Sequence, residues 1–182
     1  MQVSKALDEY HAALAIDGDK HAFECLYDRW HLQLLRFAFR LTQNSQDAQD
    51  VMQDAAITIA KDIHKLENPA SFVPWAYTIV RRRAHDHIDK IIRHRQLKSE
   101  LSTESIAQVE HSDSTLALQQ ALKKLPNDDR VLLTLFYLDE MTGPQLSQAM
   151  GVPIGTIKSR LFTARSKLKL IYETSNTGGN ND

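Results

Sequence analysis

One cysteine, Cys25, is all the chain has, so an internal disulfide and a cysteine-based zinc cluster are both excluded. Six glycines and five prolines among 182 residues leave long stretches with nothing to break a helix. No apolar run approaches the roughly 20 residues that a membrane span needs. The opening MQVSKALDEYHAAL lacks the basic start and apolar core of a secretory signal. An excess of one charge is missing too, for the net charge is −1. These absences set the expectation of a cytoplasmic protein with no direct membrane insertion, no metal and no other cofactor.

What is present is helical periodicity. Hydrophobic residues are 42% and charged residues 25%, a globular composition, and the apolar positions recur at steps of three and four. The pattern predicts an all-α chain: two small helical domains joined by a flexible linker, the C-terminal one containing a helix-turn-helix. The expected boundaries are a first domain over 1–96, a polar Ser/Thr-rich linker over 97–115, a second domain over 116–173 and a disordered tail over 174–182.

A first helix over 4–16 is expected to turn Leu7, Tyr10, Ala13 and Leu14 inward and to end at Gly18. Asp19 can cap a second, over 20–41, with an apolar stripe of Phe23, Leu26, Tyr27, Trp30, Leu34, Phe37, Ala38 and Leu41. Cys25 reads as a buried small hydrophobe there. Ser45 can cap a third helix, over 46–63, that points Ala48, Val51, Met52, Ala55, Ile59 and Ile63 inward. Asp47, Asp50 and Asp54 share its outer face, which is either an ordinary solvated acidic surface or a docking surface for a basic or polar partner.

Residues 64–71, HKLENPAS, read as a loop, with Ser71 capping a fourth helix. Phe72, Trp75, Ala76, Ile79, Val80, Ala84 and Ile88 form its core side. Trp75 and Tyr77 precede a basic run that opens with Arg81, Arg82 and Arg83. Aromatics beside a basic track suit unstacked bases, although Trp75 also falls on the apolar stripe.

In the second half, Leu118, Ala121, Leu122 and Leu125 predict one helix, and Pro126 starts another over 127–138, with Val131, Leu132, Leu135, Phe136 and Leu138 apolar. Thr142 with Gln145 forms a capping-box pattern ahead of Leu146, Ala149 and Met150. Gly151 can take the left-handed backbone that ends this short helix. Pro153 then suits the first turn of a longer one, with Ile154, Ile157, Leu161, Ala164, Leu168 and Ile171 on one face. Thr156, Lys158, Ser159, Arg160, Thr163, Arg165, Lys167 and Lys169 occupy the rest. A short helix, a glycine turn and a basic helix make a helix-turn-helix, whose second helix enters the major groove.

Charge distribution agrees. Residues 154–172 carry five basic residues and no acid, and residues 81–98 carry seven Lys/Arg against Asp86 and Asp89. Two basic zones thus sit in an otherwise acidic protein, and a local patch is what binds nucleic acid.

These motifs resemble a known family. GTIKSRLFTARSKLK at 155–169 and LPNDDRVLLTLFYLDEMT at 125–142 resemble the C-terminal domain of extracytoplasmic-function (ECF) RNA polymerase sigma factors. DAQDVMQDAAI at 47–57 resembles the family's polymerase-binding helix, and ENPASFVPWAYTIVRRRAHDHI at 67–88 its promoter-melting segment. The likeness runs from Asp19 to Leu170 in family order. It implies a bacterial initiation factor whose partners are core RNA polymerase, at its clamp helices and flap, promoter DNA, duplex and melted, and an anti-sigma factor.

By the same resemblance, Asp47, Asp50, Gln53 and Asp54 bind core polymerase. His64, Lys65, Glu67, Asn68 and Ser71 belong to the loop that holds a flipped-out minus-ten base. Trp75, Arg81, Arg82, Arg83, His87 and Lys90 contact the minus-ten strand. Thr156, Lys158, Ser159, Arg160, Thr163, Arg165 and Lys167 read the minus-thirty-five element. The chain departs from the pattern at Ala56 and Ala60, where the family usually has Phe and Trp, at Gly143-Pro144, and at Thr163, where Arg is common.

Two other classes account for parts of the pattern. A conventional helix-turn-helix regulator would need a dimerising seam, and no heptad pattern is present. An HD-type metal phosphohydrolase would use His85 and Asp86, but adjacent residues on a helix point in different directions, so no catalytic residue is expected.

Overall fold

The computed structural model describes residues 2–97 and 113–177, which divide into two compact units, within 1–102 and 103–182. Every described element is helical: α1 (Gln2–Ile16), α2 (Lys20–Thr42), α3 (Ser45–Asp62), α4 (Phe72–Leu97), α5 (Asp113–Lys124), α6 (Asn127–Tyr137), α7 (Gly143–Met150) and α8 (Ile154–Thr177), with two short 3-10 turns, Ile63–Lys65 and Pro69–Ser71. The all-α expectation holds. The expected linker is shorter at both ends, since α4 continues through Leu97 and α5 begins at Asp113; its remainder lies outside the described residues. Helix α8 runs past the expected start of the tail, its Thr174 hydroxyl donating back to Leu170 O at 2.9 Å. The last five residues of that tail also lie outside the described set.

In the first unit, α1 presents a different face from the expected one. Leu7 and Tyr10 are 40% and 60% exposed, whereas Asp8, Ala12 and Ala15 are buried. Two alanines allow a close approach of α1. The Asp8 carboxylate one turn before Ala12 is tolerated because Arg29 Nε lies 2.7 Å from Asp8 Oδ1. Buried charges persist where such a partner is supplied. Burial, the dominant influence on Asp8, still holds its carboxyl above the usual carboxylate value.

The chain reverses at Gly18, whose φ of +97° favours glycine, and Asp19 accepts from the Ala22 N–H at 3.0 Å to cap α2. Helix α3 is capped by Asn44, not Ser45. Gln43 is left-handed, which sets Asn44 in an extended conformation, and its Oδ1 accepts from the N–H of Gln46 at 2.8 Å and of Asp47 at 3.0 Å. Ser71 is likewise not a cap. Asn68 accepts from the Ala70 N–H at 3.0 Å, and Pro69 opens the turn that continues into α4.

The inward residues of α3 are all buried as expected. They meet Leu26, Leu34 and Phe37 of α2 and Phe72, Ala76, Val80 and Ala84 of α4. Each large apolar side chain so buried contributes about 1.5–3 kcal/mol. Tyr77 joins this core, fully buried with its ring centre 4.9 Å from that of Phe37. Cys25 is only partly buried, its Sγ 3.8 Å from His21 Nε2. Ala60 is exposed, and it lines an open groove of about 410 Å³ with Ala15, Gly18, Phe23 and Ile63. Its methyl leaves that space open.

In the second unit, Ala121 and Leu125 of α5, Val131, Leu132, Leu133 and Leu135 of α6, Leu146 and Ala149 of α7, and Ile157, Leu161 and Ala164 of α8 form the core. Leu138, expected among the apolar contacts of α6, is 73% exposed because α6 ends at Tyr137 and the chain turns away there. The α7 cap forms as expected, Gln145 Oε1 accepting from the Thr142 N–H at 2.9 Å. Pro144 sits in the first turn, where no N–H is needed. Gly151 ends α7 at φ 67°, and the Ser147 hydroxyl donates to Val152 O at 2.6 Å.

Candidate nucleic-acid interface

The geometry of α8 follows from its two ends. The capping box and the left-handed Gly151 fix α7, and three buried residues one turn apart, Ile157, Leu161 and Ala164, press α8 onto it and onto α6. Lys158, Ser159, Arg160 and Thr163 are then exposed, and Thr156 is half-buried. The Ser159 hydroxyl donates to Thr156 O at 3.0 Å. Among the described residues, Lys158 and Arg160 make no hydrogen bond or ion pair. They are cations held on a fixed backbone and available to phosphates or guanine edges.

Arg165 and Lys167 are placed otherwise. The Arg165 guanidinium lies over the rings of Phe136 and Tyr137, and Lys167 Nζ donates to Asp129 Oδ2 at 2.7 Å. Both residues bind α8 to α6. Their partners lie 28 to 38 residues earlier in the chain, beyond the reach of a periodicity argument. Arg165 also borders an apolar groove of about 380 Å³ with Leu118, Leu133, Leu168 and Tyr172. This groove was not anticipated; Leu118 and Leu168 signalled it only as members of helical stripes.

In the first unit, His64, Lys65, Glu67 and Asn68 are exposed, and Ser71 is half-buried. Lys65 Nζ donates to Asp62 Oδ1 at 2.6 Å, which holds the Asp62 carboxyl below its ordinary value. The Asn68 side-chain oxygen is engaged in its capping bond. Trp75 is half-buried, its ring centre 6.2 Å from that of Phe72. Of the two aromatics expected beside the basic track, Trp75 keeps an accessible edge and Tyr77 has none.

The basic residues of α4 also divide. Arg82 and Lys90 are exposed. Arg81 is half-buried, and burial followed by the neighbouring Arg82 charge lowers its pKa. Arg83 donates to the Thr58 hydroxyl at 2.8 Å. His87 Nε2 lies 2.9 Å from Asp47 Oδ1. Asp47 and His87, expected on separate surfaces, are thus joined. Asp50, Gln53 and Asp54 remain exposed on α3.

Among the described residues, the ligand-type side chains that converge in a group of three or more are Asp47, Asp50 and His87. His85 and Asp86 are not part of it; both are exposed, and Asp86 lies 4.0 Å from Arg83.

Comparison with known proteins agrees with this division. Sigma-70 region 2 matches residues 26–94, and sigma-70 region 4 matches residues 115–168. The chain is 28% identical to the ECF RNA polymerase sigma factor SigM of Mycobacterium tuberculosis (strain ATCC 25618 / H37Rv) over 168 residues, 92% of this chain and 86% of the relative. It is 26% identical over 167 residues to the ECF RNA polymerase sigma factor SigW of Bacillus subtilis (strain 168), covering 84% of this chain and 89% of that one.

Among solved structures it is similar to the sigma factor RpoE of Bartonella quintana, in complex with the anti-sigma factor NepR. The TM-score is 0.71 and the identity 25%, over 83% of this chain and 96% of that one. It shares the fold of CnrH, solved with the cytosolic domain of CnrY, at a TM-score of 0.66 and 21% identity, over 92% of this chain and 98% of that one. The chain belongs to the ECF sigma factors of the sigma-70 family. It directs transcription initiation by RNA polymerase.

Proposed function

We propose that the two units divide promoter recognition between them. The second unit reads the minus-thirty-five element as duplex through Lys158 and Arg160, flanked by Thr156, Ser159 and Thr163. The observation that carries this assignment is the exposure of two unpaired cations at the start of a helix whose opposite face is buried. Arg165 and Lys167 act from behind, by fixing α8 on α6. The apolar groove bordered by Leu118, Leu133 and Tyr172 is assigned to the polymerase flap.

The first unit docks on the polymerase clamp helices through Asp50, Gln53 and Asp54, with Asp47 contributing through its hold on His87. It takes the melted minus-ten strand on Trp75, Arg82 and Lys90, with the 64–71 segment at the pocket for an extruded base and Arg81, Arg83 and His87 supporting α4. Extruding a base costs a few kcal/mol, offset by a pocket and a basic track. Holding both units on one polymerase turns two weak DNA contacts into one avid one, which the stretch of chain between α4 and α5 permits.

In this reading the protein catalyses no reaction itself and works on cytoplasmic polymerase; no described helix is long and apolar enough to cross a membrane. An anti-sigma factor is the further partner, supported by the similar RpoE structure, solved with the anti-sigma factor NepR.

The test is run-off transcription with purified core polymerase on a pool of genomic promoter fragments. Discrete start sites that require this protein, sharing two spaced upstream elements, are expected. Tight palindromic duplex binding without polymerase, and no new start sites, would refute the assignment.

A further inference from the structure

The side chains of Asp47, Asp50 and His87 converge although α3 and α4 bring them from 40 residues apart in the chain. One ligand atom from each lies within 4.8 Å of the other two. Asp47 and Asp50 are one helical turn apart on α3, so both carboxylates face the same way. His87 Nε2 is already 2.9 Å from Asp47 Oδ1. We propose that these three residues form a binding site for a first-row transition dication of the zinc class.

The chemistry favours such an ion over magnesium or calcium. Imidazole nitrogen is a borderline donor that suits zinc, nickel or iron, whereas magnesium and calcium prefer oxygen alone. The imidazole distinguishes this group from an ordinary acidic surface. Metal bonds of about 2.0–2.2 Å to nitrogen and carboxylate oxygen place adjacent ligand atoms roughly 3.3–3.6 Å apart in a tetrahedral shell. The His87–Asp47 separation of 2.9 Å is about half an ångström shorter, so the two side chains part slightly to admit an ion. Asp50 is exposed, so its carboxylate can close the remaining distance by side-chain rotation.

The surroundings support the set. Asp47 and His87 have side chains only 28% and 25% exposed, so they are partly ordered before an ion arrives. Gln46 Nε2 donates to Asp50 Oδ1 at 3.2 Å and can orient the third ligand, as outer-shell partners do in metal sites. Three protein ligands leave a position for water, and the charges of the two carboxylates balance the dication. The ion would cross-link the α3 face to the DNA-side helix at the end opposite the Arg83–Thr58 bond.

The experiment uses the chelator-stripped full chain. Zinc is titrated by calorimetry, and cobalt(II) by its visible absorption. One equivalent of either metal is expected to bind, with cobalt giving the absorption of a low-coordinate nitrogen–oxygen site. His87→Gln and Asp50→Asn should each lower affinity by at least about tenfold. His85→Gln, on the same helix but outside the group, should leave it unchanged. Asp50→Asn keeps the test valid should loss of the His87–Asp47 bond unfold the first unit. Absence of stoichiometric binding, binding unaffected by both substitutions, or equal competition by magnesium or calcium would overturn the proposal and leave His87–Asp47 as a plain hydrogen bond.

Discussion

The guanidinium of Arg165 lies 5.1 Å from the ring centre of Phe136 and 5.6 Å from that of Tyr137. A cation over an aromatic face is attracted by the ring quadrupole, by about 0.5–2 kcal/mol. Arg165, expected to touch DNA, is thus also held as a contact between α6 and α8. Arg165→Ala should speed amide exchange in α6 and α8 by roughly two- to thirtyfold, with Arg165→Lys intermediate. Relative use of minus-thirty-five variants should not change. A variant that keeps its exchange pattern but loses sequence preference would contradict a bracing role for Arg165.

Lys158 and Arg160 are the cations of α8 proposed to meet duplex DNA. If either meets a guanine edge, its replacement by Ala should cost about 1–3 kcal/mol and relax preference at one position. If it meets a phosphate, binding of the holoenzyme should weaken uniformly and the salt slope fall by about one. Footprinting with an upstream-element mutant series distinguishes the two contacts. An unchanged upstream footprint in both variants would remove α8 as the reading helix.

Trp75 and Tyr77 are two residues apart, yet the core treats them differently. Tyr77→Ala empties a fully buried site and should destabilise the first unit by about 3–5 kcal/mol. Both tryptophans of the chain, Trp30 and Trp75, lie in the first unit, so urea unfolding followed by Trp fluorescence reports on it selectively. Trp75→Ala should cost less stability but slow promoter opening, seen as weaker permanganate reactivity at the minus-ten element. A premelted template should restore activity. A defect on both templates would place Trp75 in the fold rather than in melting.

Asp8 gives the first unit a pH dependence. Burial, joined by the neighbouring Glu9 charge, raises its folded-state pKa above 3.8 against the lowering influence of Arg29, Trp30 and His11. A raised carboxyl pKa means that the fold holds the proton more tightly than the unfolded chain. The corresponding stabilisation is fully present below the unfolded value and is lost as pH rises through the folded one. Relative to Asp8→Asn, the native protein should therefore gain stability as pH falls from neutral towards 4. Urea midpoints read by Trp fluorescence across that range check it; a flat difference, or one of opposite sign, would show that the Arg29 attraction outweighs burial.

The parts of the fold that were legible in the sequence depend on neighbours in the chain. Spacing at three and four gave the buried face of α3 and the docking face of α8, because a helix brings such residues together whatever surrounds it. The Thr142–Gln145 box and the left-handed Gly151 are equally local. Caps were less certain: Asn44 and Ser45 are both suitable, and the left-handed Gln43 selected Asn44. In α1 the periodic signal misled, since two alanines and an ion-paired aspartate made a closer interface than Leu7 and Tyr10.

The sequence by itself determined the helical class, the position of the helix-turn-helix and where basic charge is concentrated, because these follow from composition and short-range geometry. Only the tertiary structure decided which charges are spent and which are free. Arg83 goes to Thr58, His87 to Asp47, Lys167 to Asp129 and Arg165 to Phe136. Each of these partners is 25 to 40 residues away, and packing of one helix on another brings them within bonding distance. Lys158 and Arg160 remain free because their side of α8 has no neighbouring helix among the described residues of its unit.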